Sequence, residues 1–191
     1  MSCQDLIKGR RSVRKFKDTL VKDEEVVQLL DAARWAPSWM NTQCWEFIVV
    51  RDEDLIRQVV ETFSPANPSR PCAGEASVLL VAAARRDAAG MGKDGRPSTE
   101  IQNWFMFDLG AAVQNISLAA YDMGLATVVV GSLDHARCAE LLKVPADVQV
   151  AAVLPVGRPA QTPAPKPRKD LDEFVSVDHY GKRWALGGEE K

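Results

Sequence analysis

Residues 10–15 carry four cations and a hydroxyl, in the run Arg10-Arg11-Ser12-Val13-Arg14-Lys15, and apolar Phe16 follows. An Arg side chain presents a planar fork of donors that pairs bidentately with phosphate oxygens, and each charge-assisted bond contributes about 1.5–3 kcal/mol. Alternate residues of an extended segment share a face. Arg10, Ser12 and Arg14 would then stand together, with Arg10 and Arg14 roughly 13 Å apart at about 3.3 Å per residue. A ligand with a phosphate at one end and an electron-rich ring at the other spans that distance. A solvated basic turn fits the same run, and these residues alone leave both readings open.

Other chemistries find little support. The sequence has no Ser-His-Asp set, nucleophile elbow, H-E-x-x-H or P-loop. Two apolar strands precede helices, but neither junction reads G-x-G-x-x-G, so a Rossmann dinucleotide site is not indicated. His135 and His179 are isolated, and Cys3, Cys44, Cys72 and Cys138 lie far apart without a C-x-x-C, which argues against a metal centre and fits a reducing cytoplasm. The net charge of −2 gives no general reason to bind nucleic acid. Neither a secretory signal nor a membrane span is expected, because the N-terminal residues lack an apolar stretch and no apolar run approaches about 18 residues.

These residues need elements to hold them. At 191 residues the chain is expected to form one domain, residues 1–157, with a proline-rich arm and short terminal segment over residues 158–191 that belong to the same unit. Ser2 caps a short helix over Asp5–Gly9. Helical spacing of Val26, Leu29, Leu30 and Ala33 predicts a helix over Lys22–Ala36 that Pro37 ends. A β-rich run covers Trp45–Val50, and Asp52 caps a helix to about Phe63. Residues 64–74, with three prolines, read as loop. The continuous apolar run Ser77–Ala84 predicts a strand buried on both faces.

Residues 85–98 are polar and read as mobile. Thr99–Met123 is the longest predicted helix, stopped by Gly124, and its apolar residues lie all round it, as in a core helix or a subunit interface. Strands follow at Leu125–Val130 and Val148–Val156, with a short helix at Asp134–Leu142 between them. Pro155, Pro159, Pro163, Pro165 and Pro167 give an extended arm better suited to wrapping a neighbour than to folding alone.

The order of several motifs resembles the FMN-dependent nitroreductase family over nearly the whole chain. Arg10-Arg11-Ser12-Val13-Arg14 and Ala36-Pro37-Ser38-x-x-Asn41-x-Gln43-x-Trp45 resemble its two N-terminal signatures. Phe107-Asp108-Leu109-Gly110-Ala111-Ala112-Val113-Gln114-Asn115 resembles its central helix, and Gly124-Leu125-Ala126-Thr127-Val128-Val129-Val130-Gly131 the strand after it. Pro155-Val156-Gly157-Arg158-Pro159, then Lys166-Pro167-Arg168-Lys169, resembles the C-terminal signature. The resemblance implies an α+β, three-layer fold in which a mainly antiparallel or mixed sheet is flanked by helices. It also implies a homodimer that exchanges C-terminal arms and holds FMN at its interface.

Carried over position by position, the resemblance implies that Arg10, Arg11 and Ser12 contact the FMN phosphate and ribityl chain. Arg14 stands near the pyrimidine edge of the ring, and Lys166 and Arg168 add cations to the phosphate. Pro37, Ser38 and Asn41 form a loop reaching FMN from the partner subunit. Val130 and Gly131 lie beside the flavin, where a backbone N–H bonds N5 and close main-chain approach favours glycine. No side chain is expected to be catalytic, since the flavin itself carries the hydride. Asp108, alone among apolar neighbours, is expected to pair with a cation or a backbone donor.

The sequence also departs from the family. Cys44 replaces the usual proline before Trp45, and residues 64–74 lack an obvious Asn-x-x-Lys near the flavin. The implied function is hydride transfer from NADH or NADPH through FMN to an electron-poor small molecule such as a nitroaromatic, quinone or enone. A specialised dehalogenase or flavin reductase, and a flavin-binding sensor or storage protein without turnover, are the alternatives.

Overall fold

A computed structural model of the chain describes residues 1–184. The early helices follow their caps. In α1 (Cys3–Gly9) the Ser2 hydroxyl accepts from Asp5 N while Ser2 N donates to the Asp5 carboxylate. Helix α2 (Asp23–Arg34) buries Val26, Leu29 and Ala33 on one face. Strand β1 (Trp45–Val50) leads to α3 (Glu53–Glu61), capped by the Asp52 carboxylate on Leu55 N.

Next come α4 (Arg70–Gly74), β2 (Val78–Arg85), the 19-residue α5 (Trp104–Asp122) and β3 (Ala126–Thr127). Helix α6 (His135–Leu141), β4 (Val148–Gly157) and a single turn, α7 (Leu171–Phe174), complete the order.

The four strands form one sheet in the order β1-β2-β4-β3, with every named pair antiparallel. Central β2 is buried from Val78 to Ala84, and its residues alternate between two cores. Val78, Leu80, Ala82 and Ala84 meet α2 and α5 through Leu29, Leu109, Ala112 and Ile116. Leu79, Val81 and Ala83 meet α3, α4 and α6 through Ile56, Val59, Ala73 and Cys138. Helices therefore cover both faces of the sheet, giving the three layers expected.

Three expectations are corrected. Residues 64–74 are not all loop, because Pro71 in the first turn of α4 needs no N–H there. The long helix begins at Trp104 instead of Thr99, after Asn103 has turned the chain at φ −105° and ψ 36°. The strand expected to reach Val130 is regular only over Ala126–Thr127. Beyond that point contact with β4 is a single bridge, Val130 to Val153. Residues 85–98 fold back through a bridge from Met91 to Pro97 with Gly90 and Gly95 in left-handed conformations.

Candidate functional site

The Arg10–Lys15 run leaves α1 as an extended segment sewn to the sheet. Ser12 bridges Thr127 in parallel, and Val13 N donates to Thr127 O at 3.1 Å. Further on, Lys17 N donates to Arg158 O at 2.8 Å, and Ala160 N donates to Lys15 O at 2.9 Å. Phe16 lies so close over Gly157 that a Cβ there would stand 2.6 Å from its ring. Strand alternation then sorts the side chains. Val13 turns inward and is 5% exposed, while Arg10, Ser12 and Arg14 line an open cavity of about 500 Å³.

The arm closes the other side of this cavity with Pro163, Pro165, Lys166 and Arg168. Arg11 also lines it, though its Nη1 donates to the carbonyls of Lys8, Gly9 and Arg10 and so caps the end of α1. Among the described residues, Arg10, Arg11, Arg14, Lys166 and Arg168 make no ion pair with a carboxylate. Burial lowers the Arg10 pKa below its ordinary value, and the neighbouring charges of Arg168 and Arg11 lower it further. A gathering of like charges with no internal counter-ion is a place built for an anion. A larger depression of about 590 Å³ between α3 and α6 contains none of the expected residues. Its wall mixes the opposite charges of Glu61, Asp134 and Arg137.

From the cavity a polar chain runs toward Gly131. Arg14 Nε donates to the buried Ser69 hydroxyl at 3.1 Å, and Ser69 N donates to Asn67 Oδ1 at 2.9 Å. Asn67 Nδ2 in turn donates to Ser132 O at 3.3 Å, and the Ser64 and Ser132 hydroxyls meet at 2.7 Å. Gly131 precedes Ser132 and is exposed. The network thus joins Arg14 to the chain beside Gly131, two positions both expected at the ring end of the ligand, through the segment that leads into α4.

The family model described as the nitroreductase family matches residues 7–158. The chain belongs to the nitroreductase family. An Archaeoglobus fulgidus protein, provisionally named NADH dehydrogenase/NAD(P)H nitroreductase, is 32% identical over 92% of this chain and 91% of its own length. The iodotyrosine deiodinase of Thermotoga neapolitana is 31% identical over 90% of this chain and 94% of its own. A crystal structure described as an oxidoreductase containing FMN superposes with a TM-score of 0.79 at 26% identity, covering 94% of this chain and 93% of that one.

In this member of the nitroreductase family the turn after α2 stands apart from the cation cavity. Pro37, Ser38 and Asn41 do not line the cavity within one chain. Their turn is unusual in its backbone, with Met40, Asn41 and Gln43 all at positive φ (45°, 59° and 48°). The Ser38 hydroxyl accepts from Gln43 N at 3.0 Å, which closes the turn. Asp108 pairs with a backbone donor as expected, accepting from Trp39 N at 2.9 Å. The buried Cys44 thiol faces the same carboxylate oxygen at 3.8 Å. Burial first, then Asp108, pushes this thiol up to about 11, so it stays protonated at neutral pH.

At the ring end, a Cβ added to Gly131 would meet no atom of the described residues within 4 Å, and the residue's φ is not left-handed. Sequence reasoning passed over Asn67 and Ser69. Asn67-Pro68-Ser69-Arg70 keeps the Asn-x-x-cation spacing with Arg in place of Lys, and that signal was present in the sequence. Arg70 itself turns away, donating to Phe63 O at 2.5 Å, which leaves Arg14 as the cation beside Asn67 and Ser69.

Proposed function

We propose that this chain is an FMN-dependent oxidoreductase that takes a hydride from NADH or NADPH and delivers it to an electron-poor small molecule such as a nitroaromatic, quinone or enone. The observation that carries the reading is the cavity itself. Arg10, Lys166 and Arg168 meet around Ser12 without a carboxylate among the described residues. That donor set fits a monoester phosphate, which accepts several charge-assisted bonds. FMN, when bound, supplies the hydride chemistry that no side chain of the site offers.

The protein's own part is to bind and orient. Arg10, Lys166 and Arg168 hold the phosphate end and Ser12 hydrogen-bonds beside them. Arg14, its Nε fixed on Ser69, presents a cation toward the ring end, where negative charge grows on reduction. The main chain at exposed Gly131 is open to close approach, whereas Val130 N already donates to Val153 O at 2.9 Å. Ser38 and Asn41 complete the site from a second copy. A homodimer is supported by apolar side chains left in solvent on and around α5, with Phe107 71% exposed and Ile101 and Met106 beside it.

The likeness to iodotyrosine deiodinase adds halogenated phenols to the acceptors worth assaying. The test is direct. The purified protein should be yellow, and denaturation should release FMN, identified by chromatography. Anaerobic NADH or NADPH should then bleach the visible band of the holoprotein. A stoichiometric FAD peak, or no bleaching with either donor, would overturn the reading.

A further inference from the structure

We propose that Asp108 is a positioning residue of the flavin site, holding the Ser38–Gln43 turn in the shape that presents Ser38 and Asn41. The inference rests on the reading that this turn meets FMN. Asp108 is 3% exposed, lies on α5 among Leu109, Ala112 and Phe105, and has no ion-pair partner among the described residues. Burying a carboxylate is costly unless its hydrogen bonds repay it. Its bonds go to the two ends of one turn, from Trp39 N at 2.9 Å near the start and from the Cys44 thiol, which also faces Phe105 O, at 3.8 Å just past the end.

That turn needs a lock. Three non-glycine residues in left-handed conformations within four positions are individually unfavourable and persist only when the surroundings over-determine them. The side chain of Trp39 is anchored separately. Its Nε1 donates to Met91 O at 3.0 Å, and its ring lies 5.1 Å from that of Trp104. Those contacts fix where Trp39 sits. The carboxylate fixes which way its peptide plane faces, and hence the path of the next four residues. Asp108 acts through the backbone of Trp39 and touches neither ligand nor reacting atoms.

The test is a double-mutant cycle on holoprotein saturated with FMN. Asp108→Ala and Asn41→Ala should each raise the FMN dissociation constant about tenfold and alter the visible circular dichroism of the bound flavin. The double variant should be little worse than either alone, because both remove the same contact. Asp108→Asn, which keeps an acceptor oxygen for Trp39 N, should restore the spectrum. Fully additive losses with an unchanged flavin spectrum in Asp108→Ala would overturn the proposal, leaving Asp108 a packing residue.

If Asp108→Ala does not fold, Asp108→Glu decides, since one more methylene displaces the carboxylate by about 1.5 Å. A shifted spectrum and a raised acceptor KM support the lock, and a wild-type spectrum and KM overturn it. Wild-type protein that binds no FMN would sink the functional reading itself, an outcome distinct from either.

Discussion

Arg10 and Arg14 belong to one extended segment, yet the structure gives them different surroundings, so their substitutions should fail differently. Arg10 sits among Arg11 and Arg168 with its pKa lowered by burial and by their charge. Removing it as Arg10→Ala should weaken FMN binding by about 1.5–3 kcal/mol and leave the bound flavin's potential unchanged. Arg14 is held by Ser69 and leads through Asn67 to Ser132. Two unit charges 4 Å apart interact by about 4 kcal/mol at an effective dielectric near 20, and partial exposure leaves roughly 1–3 kcal/mol. Arg14→Gln should therefore lower the two-electron potential by roughly 20–65 mV, read by spectroelectrochemical titration at saturating FMN. An unchanged potential would place Arg14 away from the ring. Gly131 separates ligand from fold in the same way. A methyl group added at that position would meet no atom of the described residues within 4 Å. Gly131→Ala should therefore keep the apoprotein's melting temperature within about 2 °C, since surface changes of this kind alter stability by under about 0.5 kcal/mol. Its FMN affinity should nevertheless fall, as measured by fluorescence titration.

The cation segment is only as well placed as the elements that clamp it. Arg158 follows β4, accepts Lys17 N on its carbonyl, and reaches Glu25 of α2 at 2.6 Å. The Lys22 backbone N–H, and then Arg158, hold the Glu25 carboxyl below its ordinary value of 4.5. A depressed carboxylate stabilises the fold above its unfolded pKa, and that contribution is lost as pH falls through the folded value. Glu25→Gln should cost about 0.5–1.5 kcal/mol at neutral pH, and its urea midpoint should depend less on pH than wild type below about 4.5. Equal pH slopes would show the clamp to be idle. How far such elements can be read from sequence depends on what fixes them. Strand β2 was legible because every residue from Val78 to Ala84 is apolar and both faces are buried. The caps at Ser2 and Asp52 were legible because a side chain near its own helix decides them. The brevity of β3 was not, since Val128–Val130 has the composition of a strand yet rejoins β4 only at the bridge from Val130 to Val153. Arg10, Ser12 and Arg14 were found by period-two spacing, whereas Asn67 and Ser69 reach the site through tertiary bonds from a segment that reads as loop.

The arm shows how binding and folding divide across the molecule. No described residue beyond Val156 belongs to either hydrophobic core, yet Pro163, Pro165, Lys166 and Arg168 form one wall of the cation cavity. Beyond them Leu171, Phe174 and Trp184 are apolar side chains that the described residues leave exposed. The arm therefore adds charge to the cavity and leaves apolar side chains exposed, while its described residues add nothing to either core. A chain truncated after Pro159 should keep its cooperative unfolding transition. Losing Lys166 and Arg168 removes two charge-assisted contacts of about 1.5–3 kcal/mol each, which corresponds to a roughly 10²- to 10⁴-fold weaker FMN complex. The same truncation should shift the protein from dimer to monomer in analytical ultracentrifugation. Restoring residues to Lys169 should recover much of the FMN affinity before it recovers the dimer, because the cations precede Leu171 and Phe174 along the chain. A truncated protein that remains dimeric and binds FMN at wild-type strength would show that neither charge nor apolar surface in the arm is used. Recovery of both properties together on restoring Lys169 would instead mean that the phosphate site forms only in the dimer.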